Sequence, residues 1–108
     1  MSRLAAGLWI DAYRARLMAE GISAYIVKRG DAVAGAILVK LATLDGRATA
    51  FQRITSMDGG RHWDVLADGE EAEVDAAVAR ARGFDPDLWV IEVEDRVGRH
   101  MLDAPGLE

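Results

Sequence analysis

The chain has 108 residues, of which 51% are hydrophobic and 29% charged, so it suits one domain with one core and is too apolar to stay disordered. It contains no cysteine, which excludes disulfides, thiolate metal sites and cysteine nucleophiles. The net charge of −5 is uneven, because residues 1–66 hold nine Lys or Arg against six Asp or Glu, whereas residues 67–108 hold four against twelve. This acidic C-terminal part argues against a nucleic-acid partner.

The first predicted element is a helix that Ser2 caps and that runs to about Glu20, where Gly21 ends it. Charged residues interrupt its apolar pattern, so it lacks the features of a signal peptide or a membrane span. We therefore expect a cytoplasmic protein without membrane association. At 100° per residue the helix has two apolar stripes. One consists of Leu4, Leu8, Ala12, Ala15 and Ala19, and the other of Ala6, Ile10, Tyr13 and Leu17, with Trp9 at its edge.

A helix that covers one face of a sheet needs only one apolar stripe, so the second stripe suggests an interface. The predicted interface serves a homodimer or an unidentified protein partner, and consists of Trp9, Ile10, Tyr13 and Leu17. The alternative is that loops or the C-terminal tail cover this side of the small domain and bury both stripes.

Four strands are predicted to follow as an antiparallel meander. The first spans about Ala24–Arg29, and the second, Ala34–Ala42, is a nearly continuous apolar run typical of a strand buried on both faces. Asp45-Gly46 predicts a type I′ turn into a third strand at Arg47–Ile54. The fourth strand, Arg61–Ala67, alternates inward and outward residues. Trp63, Val65 and Ala67 are expected to point inward, and His62 and Asp64 outward.

A second helix should begin at Asp68, which has the capping-box spacing to Glu71, and run to about Arg82, just before Gly83. Its apolar residues form one narrow stripe that should lie on the sheet. The stripe consists of Val74, Ala77, Val78 and Ala81.

The chain then forms a predicted hairpin. Its first strand, about Leu88–Glu94, places Trp89, Ile91 and Val93 on one face, and a turn at residues 95–98 leads to a short strand at Arg99–Leu102. A frayed tail is expected from about residue 103. The sequence therefore predicts a single α+β domain over residues 1–108, ordered α-β-β-β-β-α-β-β, with a mainly antiparallel sheet and both helices packed on it.

Three segments carry a family resemblance: the Trp-containing N-terminal helix, KRGDAVAGAILVK at residues 28–40 and FDPDLWVIEVEDRVGRH at residues 84–100. They resemble the domain of unknown function 1491 family of small alphaproteobacterial proteins. The resemblance implies a cytoplasmic bacterial protein, and it carries no activity, substrate or catalytic residue over to this chain.

The carboxylates of residues 84–102 are candidate metal ligands, because Mg²⁺ and Ca²⁺ prefer oxygen. Asp85 and Asp87 lie beside a proline, whereas Glu92 and Glu94 lie at least two strand steps away, and the spacing matches no EF-hand. We therefore expect no metal and no cofactor.

The strand that contains Phe51 and Arg53 also places Arg47 and Thr49 on the same face, which resembles an RNA-stacking platform. One aromatic side chain on an acidic protein favours a solvated sheet face instead.

Polar residues beside loops form the candidate binding set, which consists of Arg29, Asp31, Asp85, Asp87, Arg99 and His100. The leading hypothesis is an interaction or regulatory module that self-associates through the first helix and is not an enzyme, because the chain lacks a P-loop, a GxGxxG and a serine elbow. The alternative is a small-molecule or anion-binding domain with catalysis near His100, in a cleft shared with Arg99, Asp85 and Asp87. The sequence leaves the distance between His62 and His100 open.

Overall fold

Within the described residues, two helices and five strands follow one another in the order α-β-β-β-β-α-β. The structure is a computed structural model that describes residues 4–55, 57–105 and 107. The elements are α1 (Ala6–Ala19), β1 (Ser23–Lys28), β2 (Ile37–Ala42), β3 (Arg47–Thr55), β4 (Arg61–Glu70), α2 (Glu71–Phe84) and β5 (Trp89–Glu94). The predicted α+β class and the mainly antiparallel sheet are confirmed.

The sheet has the order β1-β5-β2-β3-β4, so β5 inserts between the first two strands of the chain. β2 and β5 run parallel with Val39 opposite Ile91, and the other neighbouring strands run antiparallel. Because adjacent parallel strands need a crossover, β3, β4 and α2 together form that connection. β2 is buried along its whole length, which confirms the prediction of a strand covered on both faces.

Different elements cover the two faces of the sheet. On one face Ile91 and Val93 join the larger hydrophobic cluster together with α1. On the opposite face Val90 packs with Val74 and Val78 of α2. The alternation predicted within β5 and the apolar stripe of the second helix are therefore confirmed.

The stripe of α1 that was predicted to form an interface lies in the core. Its four residues are at most 1% exposed: Trp9, Ile10, Tyr13 and Leu17. Leu8 of the other stripe is 56% exposed. The prediction of an interface made of these four side chains is wrong, because the stripe packs in one cluster with Ile91 and Val93 of the sheet and with the C-terminal residues Leu102 and Leu107. A homodimer or another protein partner through a different surface stays a prediction.

The C-terminal residues differ from the predicted strand and frayed tail. Arg99–Leu102 forms no strand, because positive φ angles at Gly98 (87°) and Met101 (59°) turn the chain away from the sheet. Leu107 is only 7% exposed, and its carbonyl oxygen accepts a hydrogen bond from Trp9 Nε1 at 2.8 Å. The described part of the tail is therefore packed on α1. Gly106 and Glu108 lie outside the described residues.

Of the two predicted ends of α1, the structure tests the C-terminal one. Ser2, the predicted cap, lies outside the described residues, and the helix begins at Ala6. The C-terminal end is confirmed, since Gly21 adopts a φ of 72° and the Ile22 N–H returns to Leu17 O at 2.9 Å.

The hairpin between β2 and β3 is confirmed, but its turn type is wrong. The positive φ angles belong to Leu44 (63°) and Gly46 (89°), whereas a type I′ turn would require one at Asp45. The Asp45 carboxylate instead accepts hydrogen bonds from the Thr43 hydroxyl at 2.6 Å and the Arg47 N–H at 3.1 Å. These side-chain bonds stabilise a longer loop.

β4 extends further than predicted, so the expected capping box is wrong. Asp68 lies within the strand and accepts a hydrogen bond from the Thr49 hydroxyl at 2.6 Å, and α2 begins at Glu71 without a side-chain cap. A β-bulge adds Leu66 between the residue paired with Phe51 and the residue paired with Ala50. The bulge reverses the alternation beyond Val65, so Ala67, predicted to share a face with Trp63, packs in the cluster of α2, whereas Trp63 packs in the cluster of α1. Val65, predicted to be inward, is 57% exposed.

Neither helix within the described part of the chain is long and apolar enough to cross a lipid bilayer.

Candidate functional site

The predicted binding residues fall into two groups at opposite ends of β5. Arg29, Asp31, Asp85 and Asp87 lie near the start of the strand, whereas His100 follows its end. Six residues of extended strand separate the groups by about 20 Å. A cleft that combines His100 with the Asp85 and Asp87 carboxylates is therefore wrong.

The group at the start of β5 holds loops together. The Asp31 N–H donates to Asp87 O at 3.0 Å, and Trp89 Nε1 donates to Asp31 O at 2.7 Å. The Asp31 carboxylate accepts the Ala34 N–H at 2.8 Å, as expected for a turn residue. Arg29 lies over the Trp89 ring at 5.6 Å. The polar atoms of Asp31 thus serve the local fold.

Beyond the end of β5, Asp95 and Arg99 form a compact turn. The Asp95 carboxylate accepts hydrogen bonds from the Arg99 backbone N–H at 2.7 Å, from Nε at 3.1 Å and from Nη2 at 2.9 Å. These bonds lower the pKa of Asp95 to about 2. The turn positions the next residue, His100.

Replacing Asp95 with asparagine should remove a pH-dependent part of the stability. Because the folded pKa of Asp95 lies below its ordinary value of 3.8, its contribution is complete above about pH 4 and is lost as the pH falls towards 2. We expect Asp95→Asn to be less stable than the parent at pH 7 and to have a flatter pH profile, measured as urea midpoints. Asp11→Asn, on the exposed side of α1, is the control. Parallel profiles for Asp95→Asn and the parent would contradict this role.

His100 is fixed at three points. Its carbonyl oxygen accepts a hydrogen bond from the Tyr13 hydroxyl at 2.6 Å, and its Nδ1 accepts the Leu102 N–H at 3.0 Å. The ring packs against Phe51 with the centroids 4.8 Å apart. Because Nδ1 accepts, the proton of the neutral imidazole lies on Nε2. No polar side chain among the described residues bonds this Nε2, so the imidazole is a positioned hydrogen-bond donor.

His100 and His62 line one cavity, which answers the question that the sequence left open. This outer cavity has a volume of about 380 Å³ and lies between the β3–β4 hairpin and the C-terminal residues. Its lining consists of Phe51, His62, Trp63, Val65, His100, Leu102 and Asp103. Apolar side chains make up most of this wall, and its polar groups are the two imidazoles and the Asp103 carboxylate.

An inner cavity of about 170 Å³ adjoins the outer one. The two cavities share Trp63, Leu102 and Asp103 as a partition, and Arg53 and Arg61 belong to the inner wall. Trp63 is the aromatic residue of its wall, and Trp9 lies 5.5 Å from Trp63, with Arg53 5.4 Å above the Trp9 ring. Arg53 therefore packs on an aromatic side chain, so the sheet face predicted to be solvated is partly covered.

A further cavity of about 490 Å³, the α1–β1 cavity, lies between the end of α1, the start of β1 and the end of β5. Its wall includes Arg14, Met18, Tyr25 and Glu94. The Tyr25 hydroxyl donates to both Glu92 and Glu94, at 3.0 and 3.3 Å. The tyrosine and glutamate groups here already bond one another, whereas the buried Arg14 Nε has no hydrogen-bond partner among the described residues. The outer cavity differs in presenting the Nε2 donor of His100 beside aromatic side chains.

Within the ranges that the structure describes, no three His, Asp or Glu side chains lie close enough together to hold a metal ion.

One protein family matches nearly the whole sequence. The family described as "Protein of unknown function (DUF1491)" matches residues 4–103. A crystal structure of a DUF1491 family protein from Caulobacter crescentus CB15 is 40% identical, with a TM-score of 0.84 over 92% of this chain and 94% of that one. An NMR structure of a DUF1491 family protein from the same organism is 39% identical, with a TM-score of 0.84 over 94% of both chains.

A solution structure of a protein from A. tumefaciens is 33% identical, with a TM-score of 0.73 over 86% of both chains. No functionally curated protein matches the sequence. The match over nearly the whole chain and the similar folds confirm the resemblance seen in the sequence segments. The chain belongs to the DUF1491 family.

Proposed function

We propose that this protein is a cytoplasmic binding domain for a small organic anion with a flat apolar body, held in the outer cavity. The observation that carries the proposal is the fixed imidazole of His100, which is bonded at Nδ1 and leaves the Nε2–H at the cavity wall. A donor that is already held in place loses little conformational freedom on binding a ligand.

The size and lining of the outer cavity support an apolar ligand body. Its volume of about 380 Å³ lies within the range of small-molecule sites. Phe51, Trp63 and Val65 offer ring and methyl surfaces to a flat molecule. A bicyclic aromatic body suits this lining.

Hydrogen-bond donors at the outer cavity support an anionic group on the ligand. A ligand carboxylate would accept the His100 Nε2–H in a charge-assisted hydrogen bond, which is stronger than a bond to a neutral acceptor. His62, whose Nε2 lies 3.6 Å from the Asp64 carboxylate, adds a second imidazole to the outer wall. Asp103 is the carboxylate among the lining residues, so the ligand's anionic group is expected on the His100 side of the cavity.

The proposed role is binding and not covalent catalysis. Among the described residues that line the outer cavity there is no serine, threonine or lysine to act as a nucleophile beside His100. This function is close to the small-molecule alternative suggested by the sequence, with different partners for His100.

We expect 2-naphthoate to bind the full chain, measured by isothermal titration calorimetry. The neutral analogue 2-naphthylmethanol should bind about tenfold more weakly, because it lacks the charge that strengthens a hydrogen bond to His100. His100→Asn should also weaken 2-naphthoate about tenfold, since the asparagine oxygen can replace Nδ1 as acceptor for Leu102 but supplies no group at the Nε2 position.

Met18→Ala is the matched control, because Met18 lines the α1–β1 cavity and is 75% exposed. It should leave the affinity for 2-naphthoate unchanged. Equal affinities for the acid and the alcohol, or a His100→Asn variant that binds as well as the parent, would refute the proposal.

A further inference from the structure

The wall of the α1–β1 cavity contains two opposite charges that do not pair with each other. Arg14 lines the cavity from α1, and Glu94 lines it from the end of β5. Among the residues that the structure describes, no carboxylate forms an ion pair with Arg14, and its Nε is buried without a hydrogen-bond partner. A buried N–H donor without an acceptor costs free energy. This guanidinium is therefore suited to a ligand carboxylate, which offers two acceptor oxygens to its N–H groups.

The Glu94 carboxylate retains the capacity to accept further hydrogen bonds. It shares the one hydroxyl proton of Tyr25 with Glu92, and the hydroxyl oxygen lies 3.0 Å from Glu92 and 3.3 Å from Glu94. The longer distance gives Glu94 the weaker bond. Because an ionised carboxylate has about four acceptor positions, Glu94 can also accept from the ammonium group of a ligand.

The cavity also contains part of a sheet edge. β1 is the last strand on its side of the described sheet, and Ser23, Ala24 and Tyr25 of this strand line the cavity. Alternate N–H and C=O groups of an edge strand point away from the sheet and can pair with an added extended segment. The pairing of β1 with β5 shifts between Ile26 and Lys28, so the regular edge ends at Ile26. Such a short edge suits a ligand of a few residues and not a long strand.

Apolar side chains lie beside this edge. Met18, at the end of α1, lines the same cavity as Ile22 and Ala24. Met18 is 75% exposed, so its side chain has apolar surface that a ligand can remove from water. The cavity volume of about 490 Å³ lies within the range of small-molecule sites. The lining therefore favours apolar side chains on the ligand, between its charged ends.

We infer that the α1–β1 cavity is a second binding site, which takes a short peptide with free termini and apolar side chains. The peptide carboxylate meets Arg14, the peptide ammonium group meets Glu94, and the amide bond between them pairs with the edge of β1. The described residues that line this cavity and those that line the outer cavity are all different, so the inference does not depend on the proposed function.

Leucyl-leucine tests the inference in the full chain by isothermal titration calorimetry. It should bind, whereas leucyl-leucinamide, which lacks the carboxylate, and N-acetyl-leucyl-leucine, which lacks the ammonium group, should each bind about tenfold more weakly. Free leucine has both charged groups but no peptide bond and only one apolar side chain, so it should bind more weakly than either derivative. These four ligands test the site in the unaltered protein.

Two variants assign each end of the peptide to a side chain. Arg14→Gln should weaken leucyl-leucine about tenfold and leave the affinity for leucyl-leucinamide unchanged, because the amide has no carboxylate to lose. Glu94→Gln should weaken leucyl-leucine by a similar factor and leave the affinity for N-acetyl-leucyl-leucine unchanged. Arg80→Gln, which removes an exposed cation of α2, is the matched control and should bind every ligand as the parent does. Circular dichroism checks that each variant is folded.

The outcomes that contradict the second site are distinct from those for the outer cavity. The site is wrong if leucyl-leucine does not bind, or if it binds no more tightly than its amide and its acetyl derivative. It is also wrong if Arg14→Gln weakens the peptide and its amide by the same factor, because Arg14 then does not contact the carboxylate. Free leucine that binds as tightly as leucyl-leucine would replace the peptide with a single amino acid and overturn the ligand class.

Discussion

Gly30→Ala should destabilise the fold by about 3 kcal/mol, at the upper end of the usual cost of overpacking. A Cβ at this position would lie 2.1 Å from Asp87 O and 2.7 Å from the carbonyl carbon of Leu88. Both atoms belong to the backbone, so no side chain can rotate away. The chain would have to separate the loop after β1 from the start of β5, where the Asp31 N–H donates to Asp87 O.

Gly83→Ala is the matched control for this prediction. Gly83 lies in the last turn of α2, and a Cβ there would meet nothing within 4 Å. Alanine should increase stability by about 0.5 kcal/mol, because it loses less backbone entropy on folding than glycine. Urea denaturation followed by circular dichroism measures both variants. A Gly30→Ala protein within 1 kcal/mol of the parent would show that the close approach is relieved without cost.

Lys40→Met should destabilise the protein by about 2 kcal/mol, because it leaves carboxylates without their cation. Lys40 is 6% exposed on β2, and its Nζ lies 2.7 Å from Glu71, 2.7 Å from Asp75 and 3.5 Å from Glu92. Glu71 and Asp75 are partly exposed, so solvent screening keeps the loss below that of a fully buried pair. Methionine retains the apolar stem and isolates the effect of the charge.

The effect of Lys40 should not vary between pH 6 and 9. Burial acts to lower the pKa of Lys40, but the bonds from Asp75 and Glu71 outweigh it and raise the pKa above its ordinary value. A raised lysine pKa contributes stability that is complete below about pH 10 and is lost only in stronger alkali. The urea midpoints of Lys40→Met and the parent should therefore differ by a constant amount in this range.

Arg80→Met, which removes an exposed cation of α2, is the control for Lys40→Met and should change stability by less than about 0.5 kcal/mol. If the two variants lost the same amount of stability, the three ionic contacts of Lys40 would contribute nothing to stability beyond that of an exposed cation.

The sequence predicted the elements whose signals are local. The continuous apolar run of β2 predicts a buried strand. Successive side chains of β5 point to opposite faces of the sheet, and each face packs against a different helix. The order of strands depends on long-range pairing, so the insertion of β5 between β1 and β2 left no local signal. The β-bulge at Leu66 also escaped detection, because alternation assumes a regular strand.

Which apolar stripe of α1 is buried depends on the size of its side chains. Both stripes are apolar, and the one with Trp9 and Tyr13 is in the core because its rings remove more apolar surface from water. Its polar atoms then bond carbonyl groups of the C-terminal residues, which explains why the tail is packed. The apolar residues Leu102 and Leu107 were the available sequence signal for this cover.

The candidate site was only partly predictable. His100 was identified from its chemistry, but its expected partners Asp85 and Asp87 lie at the other end of β5. The actual neighbours Phe51 and Trp63 come from β3 and β4, and a turn after β5 brings His100 to them. Such a site depends on strand order and on the path of the chain after β5, neither of which follows from spacing alone.

The most direct test of the proposed binding site is to locate bound 2-naphthoate by intermolecular nuclear Overhauser effects in a ¹³C-labelled protein. We predict contacts from the naphthalene ring protons to the methyl groups of Val65 and Leu102, which line the outer cavity. Contacts to Met18 and Ile22 instead would move the ligand to the α1–β1 cavity and contradict the role given to His100.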